Sequence, residues 1–132
     1  MTAVNISDYK ELYLKTAKDY LDSLSKSCNK LADNPLDKEA LIQLHISSHS
    51  LRSQSQVMSY NNMSAITGAI EKIARSVLEG RKKITIELFP ILKESVKALS
   101  LCLSQIEKEN KEDDLEPIVK KLEMLRSAQH DI

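Results

Sequence analysis

Two glycines and three prolines in 132 residues, with aromatics at only 4%, leave little material for a sheet protein. Sheets draw on turn residues and on β-branched and aromatic runs, so their scarcity beside abundant Leu, Ile, Lys, Glu and Ser points to an all-α fold. Charge of one sign is also missing: 19 Lys and Arg offset 19 Asp and Glu. No net field exists to gather nucleic acid or an anionic membrane, and neither is expected as a partner. No run approaches the roughly twenty apolar residues of a membrane span. The opening, MTAVNISDYKELYLK, lacks a basic segment followed by an apolar one, so the chain reads as cytoplasmic. Cysteine is limited to Cys28 and Cys102, too far apart for a thiol cluster, and both read as reduced core residues with no metal bound. The length suits one domain over 1–128, followed by a frayed tail at 129–132.

The apolar residues recur at helical spacing. Ser7 is a candidate cap for a first helix bearing Tyr9, Tyr13, Ala17, Tyr20, Leu24 and Leu31, ending near Ala32. Asp33, Asn34 and Pro35 break it, because proline disfavours a helical residue before it, and Asp37 offers the next cap. The second helix is expected over 38–58. After Tyr60, Asn61 and Asn62, a third stripe comprises Met63, Ile66, Ile70, Ile73 and Val77, stopped by Gly80. Arg81, Lys82 and Lys83 read as a solvated basic turn, and Thr85 as the cap of a fourth helix that Pro90 delays. That helix carries Leu88, Leu92, Val96, Leu99 and Leu103; a mostly charged, solvated run from Glu107 to Asp114 separates it from a short fifth built on Leu115, Ile118, Val119, Leu122 and Leu125. Short connections favour antiparallel neighbours, so the expected architecture is an up-and-down four-helix bundle with the fifth helix packed on it.

The second helix has the unusual chemistry. Its buried stripe is Leu41, Leu44, Ser48, Leu51, Ser55 and Met58, and a flank carries His45, His49, Arg52, Ser53 and Gln56. A wheel puts His49 roughly 140° from the apolar centre and Glu71 of the third helix about 130° from its own, both on flanks rather than in the core. A carboxylate there can accept the imidazole Nδ1 proton and leave Nε2 free as a nucleophile. Arg52, one turn after His49, can neutralise phosphoryl oxygens by charge-assisted hydrogen bonds. By itself this pattern also fits a solvated surface. His45 reads as a partly buried spacer; His45 and His49 lack further ligands for zinc, and His130 lies in the tail.

The segment from Leu41 to Ile73, LIQLHISSHSLRSQSQVMSYNNMSAITGAIEKI, resembles the CheA-type branch of the histidine phosphotransfer (HPt) family. Members carry the run HSLKGxSxxxGF; here it reads from His49 to Tyr60 as HSLRSQSQVMSY, led in by NPLDKEAL at Asn34 to Leu41, similar to NPxDxEAL. The resemblance implies that His49 is a phosphorylation site and Glu71 its hydrogen-bonded carboxylate, with Arg52 in place of the usual lysine. It also implies a docking surface at His45, Ser53 and Gln56. Ser53 and Ser59 replace glycines that leave room for a partner, and Gly68 replaces a second histidine near the site.

So read, a histidine kinase catalytic domain transfers a phosphoryl group from ATP to His49, and a response-regulator receiver aspartate collects it. ATP is held by the kinase, because no glycine-rich phosphate loop is present and no cofactor belongs to this domain. The layout favours the excised first domain of a larger kinase over a free-standing shuttle. The competing reading is a degenerate, unphosphorylated helical interaction module, which Ser53 and Ser59 favour.

Overall fold

The computed structural model describes the backbone of residues 6–112 and 114–128 and the side chains of 8–112 and 114–124. The cap expected from the Ser7 side chain, the Leu125 side chain, His130 and the tail at 129–132 lie outside the described residues. Five helices and no strand occur among the described residues: α1 (Ile6–Asp33), α2 (Lys38–Val57), α3 (Asn61–Leu78), α4 (Leu88–Glu109) and α5 (Glu116–Ala128). None is long and apolar enough to cross a membrane.

Helix α1 packs on α2 and α4, α2 on α3, and α3 on α4, so the first four helices close a ring with no close backbone approach across either diagonal among the described residues; α5 lies against α3 and α4. The core inside that ring is aliphatic, with Leu24, Leu31, Leu44, Leu51, Met63, Ile66, Ile70, Ile73, Leu92, Leu99 and Ile106 fully buried. Cys28 and Cys102 are buried thiols outside any disulfide, as expected, and desolvation pushes the Cys28 thiol up to about 11, which keeps it inert. Among the expected core residues Tyr9 is a correction: it is exposed, because α1 turns Tyr13, Leu14, Ala17 and Leu21 inward instead.

Local chemistry sets the helix ends. The Asp37 carboxylate accepts the Ala40 N–H at 3.0 Å and starts α2, as its position after the Asp33–Pro35 break suggested. At the other end, Ser59 takes a left-handed backbone, φ 62°, while its N–H bonds Gln56 O and the Tyr60 N–H bonds Ser55 O. That is a Schellman closure built on serine rather than glycine. Gly80, φ 78°, closes α3 in the same way. The start of α3 is unusual: Tyr60 supplies no side-chain cap, and Glu112, 49 residues away, accepts the Met63 N–H at 2.7 Å.

Two loop expectations need correction. The cap position of α4 is Glu87 rather than Thr85, whose carbonyl accepts the Leu88 N–H in the preceding turn; α4 begins at Leu88 with Pro90 in the first turn, where its missing N–H is no loss. Lys82 is buried, although its neighbours Arg81 and Lys83 are exposed as a solvated turn would have them. The charged run after Ile106 is solvated as expected, with residues 107–111 and 114 exposed and Glu112 half-buried where it caps α3.

The face of α2 toward α1 is held by hydroxyls as much as by aliphatics. Ser47 bonds Ser23 at 2.7 Å, Ser55 bonds the Tyr13 hydroxyl at 2.8 Å, and Ser48 bonds the Leu44 carbonyl. Small residues with satisfied hydroxyls let α1 approach closely without orphaned polar atoms. The outcome is a fixed rotation of α2 that turns His49 away from α1 and toward α3.

Candidate functional site

Because α2 presents Leu44, Ser48, Leu51 and Ser55 inward, His49 emerges on the α2 flank beside α3. Its side chain is 52% exposed, while the Glu71 side chain it meets is 3% exposed. Burial of Glu71 corrects the wheel, which left it on a flank. The flank exists, but α2 covers it and the aliphatic stem of Arg52 passes over it.

Glu71 is surrounded by cations. His49 Nδ1 lies 2.8 Å from Oε2, Arg52 Nε 2.6 Å from Oε1, and Arg75 Nη2 3.1 Å from Oε2. The Arg52 contact is an ion pair out of line with the N–H, since Nε makes no aligned hydrogen bond. Burial alone would raise the Glu71 carboxyl; the hydrogen bond with His49 and the charge of Arg52 outweigh it and hold the group below the ordinary 4.5. Glu71 is therefore an ionised acceptor, and the Nδ1 facing it carries the imidazole proton. Arg52 Nη2, 3.3 Å from the same nitrogen, is then a close neighbouring donor rather than a bonding partner. Nε2 remains as the imidazole nitrogen with an available lone pair on an exposed ring.

The remaining flank residues fall around this centre. The His45 ring stacks near that of His49, with centroids 6.5 Å apart and planes 13° from parallel, but His45 is half-buried and its Nε2 is buried without a hydrogen-bond partner. Ser53 is half-buried and Gln56 exposed. Gln56, with Arg52, Gly68, Glu71 and Arg75, lines an open groove of ≈ 380 Å³ between α2, α3 and α5. Arg75 was not anticipated from the sequence. Its signal was available in the i, i+4 spacing from Glu71, which places both on one face of α3. Among the described residues, no group of His, Cys, Asp and Glu is arranged to hold a metal.

A helical bundle with an exposed imidazole backed by a buried carboxylate presents a nucleophilic nitrogen to a partner, and comparison with known proteins identifies the fold. The chain has the fold of histidine phosphotransfer domains, and within that class it resembles those of CheA. The solution structure of the histidine phosphotransfer domain of CheA superposes with a TM-score of 0.82 at 18% identity, covering 92% of this chain and 93% of that one. The phosphorylated P1 domain of CheA3 in complex with CheY6 from R. sphaeroides gives 0.83 at 15% identity, covering 92% and 97%. In sequence, the chemotaxis protein CheA of Halobacterium salinarum is 21% identical over 102 residues and that of Bacillus subtilis 20% over 103. Those matches take in 77% and 78% of this chain, which spans about 15% of the length of either relative. No family model matches the chain.

Proposed function

We propose that this chain is a phosphocarrier domain of CheA-type chemotaxis signalling, with His49 as the phosphoacceptor. The observation that carries the reading is the pairing of exposed His49, through Nδ1, with the buried, ionised Glu71 at 2.8 Å. The Nε2 lone pair attacks the γ-phosphorus of ATP held by a histidine kinase catalytic domain; an N–P bond forms, the bond to the bridging oxygen breaks, and ADP leaves. The ring gains positive charge as it does so, and Glu71 faces that charge through the Nδ1 proton. Arg52 offers its guanidinium to the phosphoryl oxygens. A receiver aspartate then attacks the same phosphorus and the imidazole departs neutral, which makes His49 a carrier rather than an endpoint. The solved complex of a CheA-type P1 domain with CheY6 supports a receiver as the second partner.

The docking surface in this reading comprises Gln56 and Ser53 with the edge of His45, and the domain needs no cofactor of its own. Its architecture is taken as an up-and-down bundle of α1 to α4 with α5 packed on it, supported by the closed ring of neighbouring contacts and the short connections. Residues 1–128 are taken as one cytoplasmic domain of a longer kinase, in keeping with the small share of the relatives that the chain spans.

The test is phosphotransfer. Incubated with a CheA-type catalytic domain and radiolabelled ATP, the chain takes up acid-labile, base-stable label, and His49→Gln takes up none. Absence of label from a kinase active on another acceptor would refute the reading.

A further inference from the structure

Gly68 lies in the interior of α3 with an ordinary helical backbone, so no left-handed conformation requires glycine there. Glycine in a helix interior is unfavourable relative to alanine, and its presence needs a spatial reason. A Cβ at this position would lie 3.1 Å from Cδ and 4.0 Å from Cγ of Arg52 and would meet nothing else within 4 Å. The stem it would strike is held at its far end by the ion pair of Nε with Glu71 at 2.6 Å, which leaves Nη2 3.3 Å from His49. The groove lined by Gln56, Ser64 and Arg75 lies open beside the guanidinium and can receive it once displaced. Movement into it takes the charge away from His49.

We propose that Gly68 is a positioning residue for the His49 site: the missing side chain is the seat of the Arg52 stem, and it holds the guanidinium against both Glu71 and His49. The role in phosphotransfer rests on the function proposed above; the seating does not. The two residues act as a pair, so a side chain at 68 damages the site only while arginine occupies 52.

Gly68→Ala is measured in the intact domain alone and in an Arg52→Ala background, with three readouts: thermal melting, the rate of phosphorylation by a CheA-type kinase, and the titration of the Glu71 carboxyl followed by carbon NMR. With Arg52 present, Gly68→Ala melts no lower than the parent, because alanine favours the helix. It is phosphorylated roughly tenfold more slowly, the scale of one displaced contact in a coupled network. Its Glu71 midpoint moves up as the guanidinium withdraws. In the Arg52→Ala background the same substitution changes neither rate nor midpoint. Gly68→Ser, with the same Cβ, repeats the comparison if the alanine variant does not fold. Equal effects in both backgrounds, or an unmoved Glu71 midpoint with Arg52 present, overturn the proposal. If no version accepts a phosphoryl group, the proposed function falls and the Glu71 titration alone decides the seating of Arg52.

Discussion

Arg75 and His49 approach the same atom, Oε2 of Glu71, at 3.1 and 2.8 Å from opposite helices. The carboxylate oxygen that orients the imidazole is therefore shared with a half-exposed guanidinium from its own helix. Removing Arg75 leaves that oxygen to His49 alone, and Arg75→Ala is expected to speed phosphorylation roughly two- to threefold, the modest size of a half-exposed ion pair. Quenched-flow or time-course labelling reads this directly, and slower labelling would show that Arg75 assists the transfer instead.

Glu71→Gln keeps the shape and removes the charge. Phosphorylation is expected to slow by roughly ten- to a hundredfold, because the imidazole loses the anion that fixes its tautomer and faces its developing charge. Stability follows pH with a definite sign. A carboxyl held below 4.5 in the folded state stabilises the fold fully above that value and loses the contribution as pH falls through its depressed folded value. The stability gap between the parent and Glu71→Gln should stay level near neutrality and narrow below pH 4.5, as measured by urea titrations at a series of pH values. A gap that is flat into strong acid would remove Glu71 as an ionised partner.

Ser59→Gly tests whether the residue ending α2 is limited by its backbone. A non-glycine residue at φ 62° carries a left-handed penalty of roughly 1 kcal/mol, and glycine should recover about that much stability with little effect on labelling. Thermal and urea unfolding check it. The family's glycine at this place, read from the sequence as room for a partner, has a simpler cause here in the Schellman turn.

The same contrast shows what a single sequence reveals. Helical periodicity located all five helices, the inward rows Met63 to Ile73 and Leu88 to Leu103, and the exposure of His49, because each depends on one helix at a time. Glu71, Lys82 and Ser59 were misread for the opposite reason. Glu71 is buried by α2 and Lys82 by the packing around its turn, while the strain at Ser59 is a backbone property that serine, unlike glycine, does not advertise. The pairing of His49 with Glu71 was legible from resemblance, but its third cation and the contact of Arg52 with Gly68 needed coordinates.

The cap on α3 has a consequence for how this chain can be cut. The helix carrying Glu71 begins with an N–H that Glu112 accepts, and Glu112 follows both α3 and α4 in the chain. A fragment ending at Asn110 would retain His49, Arg52, Glu71 and Arg75, yet its third helix would start with an open donor and without the α5 surface that covers it. Possession of every residue at the reactive centre is thus not sufficient for a working unit: the stretch that follows the fourth helix completes the helix on which that centre depends.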